Sequence, residues 1–167
     1  MKAKLIVNNQ EIEVEISEEE YKKLQPQSKT TGYERVAQHG AFCYIDTDGL
    51  VRSSYDICAI EDTECYEAAN YYSSKTVAEN NARADKLMRQ LRRFVVEHRE
   101  KELNWNDSQA KYFIYYNYSN GKFDIAYVNC IRHIGEMYFD SAPTAQLAID
   151  TFHDELIWYF TEYKDSL

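Results

Sequence analysis

Apolar positions recur at helical spacing in two long stretches of the chain. In Lys75–Lys101, Ala84, Leu87, Met88, Leu91, Phe94, Val95 and His98 fall within one arc of about 120° at 100° per residue, the stripe of an amphipathic helix. Lys86, Arg89 and Arg93 fall opposite, with Arg83 and Arg92 on the flanks. Ser74 is a candidate N-cap, and Thr76 with Glu79 makes a competing capping box. In Ala142–Tyr163 the same test collects Ala145, Ala148, Ile149, Phe152, Leu156, Tyr159, Phe160 and Tyr163. Ser141 is the expected cap there, and Pro143 is tolerated in a first turn whose N–H groups lack partners anyway.

Strand alternation supplies the rest. Lys4–Ile16 alternates around Asn8-Asn9-Gln10 and predicts a hairpin. Ser17-Glu18-Glu19-Glu20 opens a short helix that ends before Pro26. Phe42–Val51 carries Asp48-Gly49 at its turn, and Lys111–Tyr118 with Phe123–Ile131 surrounds Ser119-Asn120-Gly121. Tyr71-Tyr72 and Glu136–Phe139 read as short aromatic strands, each leading into one of the long helices. Tyr55–Ala69 is either an acidic loop or a short helix.

The order strand, turn, strand, aromatic strand, helix therefore occurs twice. Gly49 and Gly121 lie 72 positions apart, and Tyr72 and Phe139 lie 67 apart. The expected fold is α+β: two repeated βββα units forming an antiparallel sheet with helices packed on one face, plus an N-terminal ββα piece. The expected domains are 1–25 for the hairpin and short helix, 26–32 for a linker, 33–103 for the first unit with its basic helix, and 104–167 for the second unit.

Charge changes this picture more than composition does. The 167 residues carry 19 Lys and Arg against 28 Asp and Glu, a net charge of −9. Residues 75–101 run the other way, with 8 basic against 4 acidic side chains. One basic helix lies between two acidic regions, which disfavours general nucleic-acid binding over a broad basic face. No apolar run approaches the roughly 20 residues of a membrane span, and Met1-Lys2-Ala3-Lys4 leads into alternation instead of a signal-peptide core. A cytoplasmic protein without membrane contact is the expectation. The 15 Tyr suit half-buried strands, where a ring packs and a hydroxyl reaches water.

Candidate chemistry is sparse. Asp46-x-Asp48-Gly49 matches the opening of a calcium loop, but Ile57 stands where the closing Glu belongs, so a hairpin turn is the better reading. Cys130-x-x-His133 lacks a second pair for zinc, and Cys43, Cys58, Cys65 and Cys130 read as reduced core thiols. His39, His98, His133 and His153 are scattered, with no nucleophile elbow and no glycine-rich phosphate cradle. No enzyme activity, cofactor or metal is expected. Asp56, Glu61, Asp62, Glu64 and Glu67 form a candidate acidic contact strip; Trp158, with Leu147 on an outward helix face, is either a candidate anchor for a partner or a second copy or is buried beneath the N-terminal ββα piece. Arg83, Lys86, Arg89, Arg92 and Arg93 are the alternative, a strip for nucleic acid.

Thr31-Gly32-Tyr33-Glu34-Arg35-Val36, Tyr44-Ile45-Asp46, Asn70-Tyr71-Tyr72-Ser73 through Arg92-Arg93-Phe94, and Gly135–Phe139 followed by Ala145–Phe160 form one further pattern. It resembles small acidic proteins of unknown function from phages, prophages and other mobile elements of Firmicutes. The resemblance implies a genomic setting. Compact acidic proteins there often inhibit host defence, anti-CRISPR proteins that block an effector nuclease among them. The expected function is a non-enzymatic, protein-binding inhibitor that occupies the nucleic-acid site of a host defence nuclease. A nucleic-acid-binding accessory protein and a structural homodimer are the alternatives.

Overall fold

The computed structural model describes residues 2–7, 10–15, 17 and 30–163. The chain divides into two compact units, Met1–Thr31 and Gly32–Leu167. In the first, β1 (Lys2–Val7) and β2 (Gln10–Glu15) pair antiparallel, from Lys2 opposite Glu15 to Val7 opposite Gln10. The short helix expected from Ser17 onward lies outside the described residues.

The second unit is α+β, with two hairpins and four helices among the described residues. Strands β3 (Ala41–Ile45) and β4 (Val51–Tyr55) pair antiparallel, and β5 (Lys111–Asn117) pairs with β6 (Lys122–Val128) in the same way. Both turns use the left-handed backbone that glycine allows without a side-chain penalty: Gly49 has φ 81° and Gly121 φ 68°. The expected third strands are each reduced to one bridge. Tyr72 pairs with Cys43 on β3, and Phe139 pairs with Tyr112 on β5, each on the side away from the hairpin partner. The outer edges of β4 and β6 consequently carry no further strand among the described residues.

Beside the first bridge a side chain does the work of a strand. Asn70 Oδ1 accepts from the Ile45 amide at 2.8 Å, and Asn70 Nδ2 donates to the Ile45 carbonyl at 2.9 Å. One amide side chain thus satisfies both backbone groups that a third strand would otherwise meet.

Helix α1 (Ile60–Glu67) resolves the ambiguous acidic segment as a helix. Helix α2 (Lys75–His98) starts where Ser74 predicts, with the Val77 amide donating to Ser74 Oγ at 3.5 Å. Its N-terminal part packs Val77 and Ala78 with Cys43, Tyr72, Ile45 and Val51. Its C-terminal part packs Leu87, Leu91, Phe94 and Val95 against Phe139, Ala145, Ala148 and Leu156 in the main core.

The expected final helix is two helices, α3 (Ala142–Thr151), capped by Ser141 Oγ at 3.2 Å from the Thr144 amide, and α4 (His153–Thr161). They break at Phe152 (φ −114°, ψ 21°), although no Gly or Pro lies there. The cause is tertiary. The Phe152 ring meets Phe94 edge-to-face at 5.6 Å, while α4 is drawn to α2 by Arg83, whose Nε and Nη2 reach the Glu155 carboxylate at 2.8 and 3.2 Å. No described helix is long and apolar enough to cross a membrane.

Candidate interaction surface

Of the expected acidic strip only Glu61, Glu64 and Glu67 are exposed. Asp56 is 1% exposed and Asp62 is also buried. Asp56 Oδ2 accepts from Arg35 Nε and from the Tyr71 hydroxyl, each at 2.9 Å, and its Oδ1 accepts from the Cys58 amide at 2.9 Å. Arg35 Nη2 also reaches Thr63 Oγ1 of α1 at 3.3 Å, and Val36 N–H donates to the Tyr71 hydroxyl at 3.2 Å. These bonds tie the 33–36 segment, the end of β4, α1 and Tyr71 together. The guanidinium of Arg35, followed by the Cys58 amide, holds the Asp56 carboxyl far below the usual carboxylate range. Burial pushes the Tyr71 phenol up to about 12.

Asp62 has a local task. Its Oδ2 accepts from the amides of Ile57 and Ala59 at 2.9 and 3.1 Å, covering N–H groups at the α1 entrance where Ala59, the cap residue, has no acceptor of its own. Both aspartates are fixed supports, so neither is available to a partner. Their signal in the sequence is position, since Asp62 stands third in the helix, where a carboxylate reaches back to the cap.

With these acids turned inward, the apolar neighbours turn out. Tyr55 is 66% exposed, Ile57 60% and Ile60 74%, and Glu61, Glu64 and Glu67 are exposed beside them. Sequence reasoning missed the exposure of these three apolar residues because its acidic strip assumed that every carboxylate faces water. The segment is also conformationally constrained. Cys58 (φ 60°) precedes α1 and Ala69 (φ 54°) follows it, both in the left-handed region that non-glycine residues seldom enter.

Of its two readings Trp158 takes burial, though its cover comes from Arg83 and Tyr163. It is 7% exposed, with the Arg83 guanidinium at 3.9 Å from its ring centroid and Tyr163 at 5.5 Å. Its outward assignment carried one helical phase from Ala145 through to Trp158, and the break at Phe152 resets that phase. Leu147 is exposed as expected, but a dimer through this face loses its aromatic anchor.

The basic residues divide. Arg83 is engaged by Glu155 and Trp158, and Arg93 lies 3.7 Å from Glu97. Lys86, Arg89 and Arg92 are exposed and have no carboxylate within 4.0 Å among the described residues. Two of the four thiols also depart from the core reading: Cys43 is buried and Cys65 half-buried, but Cys58 and Cys130 are exposed. Among the described residues no group of three or more His, Cys, Asp or Glu is arranged to hold a metal ion.

Two of the concavities adjoin α2. One of about 840 Å³ lies between α2 and the α3–α4 junction, with Gly49 at its rim, and Arg83 and Glu155 in its wall neutralise each other. The other, about 280 Å³, is an apolar recess beside Ile114, Met137 and Tyr159. Compared with known proteins, the chain matches no family model, no curated sequence and no solved structure.

Proposed function

We propose that the chain is a non-enzymatic binding protein of a phage or other mobile element. It acts in the host cytoplasm by occupying the nucleic-acid site of a defence nuclease, in its most concrete form as an anti-CRISPR protein. The observation that carries this reading is the 55–67 surface, where Tyr55, Ile57 and Ile60 project beside Glu61, Glu64 and Glu67 from a backbone held by Asp56 and Asp62. Nucleic-acid channels are lined with cations. Carboxylates match those cations, and exposed apolar side chains add contact area that salt does not screen. A surface already rigid loses little conformational freedom on docking. The net charge of −9 supports the same reading.

The test uses purified guide-directed nuclease. The chain is expected to slow target cleavage and to co-purify with the effector, and Ile60→Asp and Glu64→Lys are each expected to weaken inhibition tenfold or more. Cleavage that proceeds unhindered at saturating chain removes the proposal.

We also infer that the two hairpin-and-helix modules arose by duplication of one βββα unit. Each bridge residue, Tyr72 or Phe139, falls two positions before the serine that caps the next helix. Each is preceded by a buried tyrosine whose hydroxyl accepts a backbone N–H, Tyr71 from Val36 at 3.2 Å and Tyr138 from His133 at 2.8 Å.

A further inference from the structure

We propose that the outward face of α2 is a second contact surface, one that grips the phosphodiester backbone of a nucleic acid. Lys86, Arg89 and Arg93 fall within about 60° of one another around the helix, and Arg92 lies about 60° further round. From Lys86 to Arg93 the strip runs about 10 Å along the axis. In a chain with 28 acidic and 19 basic residues, cations readily find carboxylates. Arg35, Arg52, Arg83 and Lys111 all have them within 4.0 Å. Lys86, Arg89 and Arg92 do not; Lys101, Lys122 and Arg132 also lack one among the described residues but stand apart, whereas these three share one helix and can act on one outside group. The Arg93–Glu97 contact at 3.7 Å is exposed on both sides and yields easily to a phosphate.

Arg89 is also backed by the fold. A side chain at Gly49 would stand 3.3 Å from Arg89 Nη2, so the guanidinium rests against the bare β3–β4 turn. Arginine forks suit phosphate oxygens, and a strip of such contacts positions a strand without reading its bases. The acidic surface of a second copy is a poorer occupant. It would bring the exposed Ile57 and Ile60 onto Lys86, Arg89, Gln90 and Arg93, which offer them no apolar partner.

The experiment is fluorescence anisotropy of the full chain with labelled single-stranded and double-stranded DNA. Neutralising three phosphates predicts a slope of log K against log salt of about −2.7 for duplex and about −2.1 for single strands. Between about 50 and 200 mM salt this is a fall of about 40-fold or about 20-fold, and the two probes show which form is held. Arg89→Glu with Arg92→Glu is expected to weaken binding tenfold or more at low salt, with an unchanged circular dichroism spectrum and melting point. Ile60→Asp, which tests the other surface, is expected to leave this binding intact. No binding to either probe at low salt, a slope near zero, or equal affinity in the double variant overturns the proposal. So does a double variant whose only change is in sedimentation, since a second copy would then be the occupant.

Discussion

Asp56 keeps its negative charge where little water reaches it, because Arg35, Tyr71 and the Cys58 amide replace the solvent. A carboxyl held below its unfolded value contributes stability that is complete above about pH 4 and is lost as the pH falls further. Tyr71 works at the other limit. Its neutral form is favoured on folding, with a pKa of about 12, so its contribution is complete below about pH 10 and is lost as the pH rises through 12. Urea midpoints are therefore expected to be flat between roughly pH 5 and 9 and to fall on both sides. Asp56→Asn should reduce the acid limb and leave a remainder from Asp48 and Asp107, held low chiefly by the Leu50 amide and by Lys111 respectively. Tyr71→Phe should reduce the alkaline limb and leave a remainder from Tyr72, whose pKa burial also raises to about 12. Limbs that do not respond would locate the titrating groups elsewhere. At this scale the sequence is least legible: an aspartate among other acids looks like surface, and only the pairing with Arg35, 21 positions away, places it inside.

Helix ends were legible where a hydroxyl announced them and obscure where the backbone did the work. Ser74 and Ser141 cap α2 and α3 as their positions predict. The end of α1 gives no such cue. There the Asn70 amide donates to the Cys65 carbonyl and the Ala69 amide to the Tyr66 carbonyl, each at 3.0 Å, a Schellman turn with alanine in the left-handed position that glycine normally takes. Ala69→Gly is accordingly expected to stabilise the fold by about 1 kcal/mol, read as a higher urea midpoint with an unchanged slope. A lower midpoint would show that the alanine methyl packs more strongly than the strain opposes. The α3–α4 break was not legible, because its cause, the Phe152 ring against Phe94, lies 58 positions away in the chain.

Across the Gly32–Leu167 unit, α2 joins two apolar clusters that the hairpins alone would leave separate. Damage to one cluster should therefore be felt in the other. Tyr72→Ala, in the cluster on β3, is expected to cost about 3–5 kcal/mol. The loss should be the same by backbone circular dichroism and by the fluorescence of Trp105 and Trp158, which pack with Tyr138 and Arg83 respectively. A fluorescence midpoint that stays put would mean that the modules unfold separately. The basic helix between acidic flanks could be read by counting alone, and so could the α+β class. The reduction of each third strand to a single bridge could not, because Tyr71-Tyr72 and Glu136–Phe139 have ordinary strand composition.

The Asn70 latch changes what mutation can reach. Ladder bonds come from the main chain, which every residue supplies, so they survive most substitutions. Between Asn70 and Ile45 that work is assigned to a side chain. Aspartate at that position would set a carboxylate against the Ile45 carbonyl and remove the only donor. A single substitution thus removes one tie between the first hairpin and the segment that follows α1, while every β3–β4 bond and the Cys43–Tyr72 bridge stay in place. At this position the joint between two elements depends on side-chain chemistry, while the elements themselves do not.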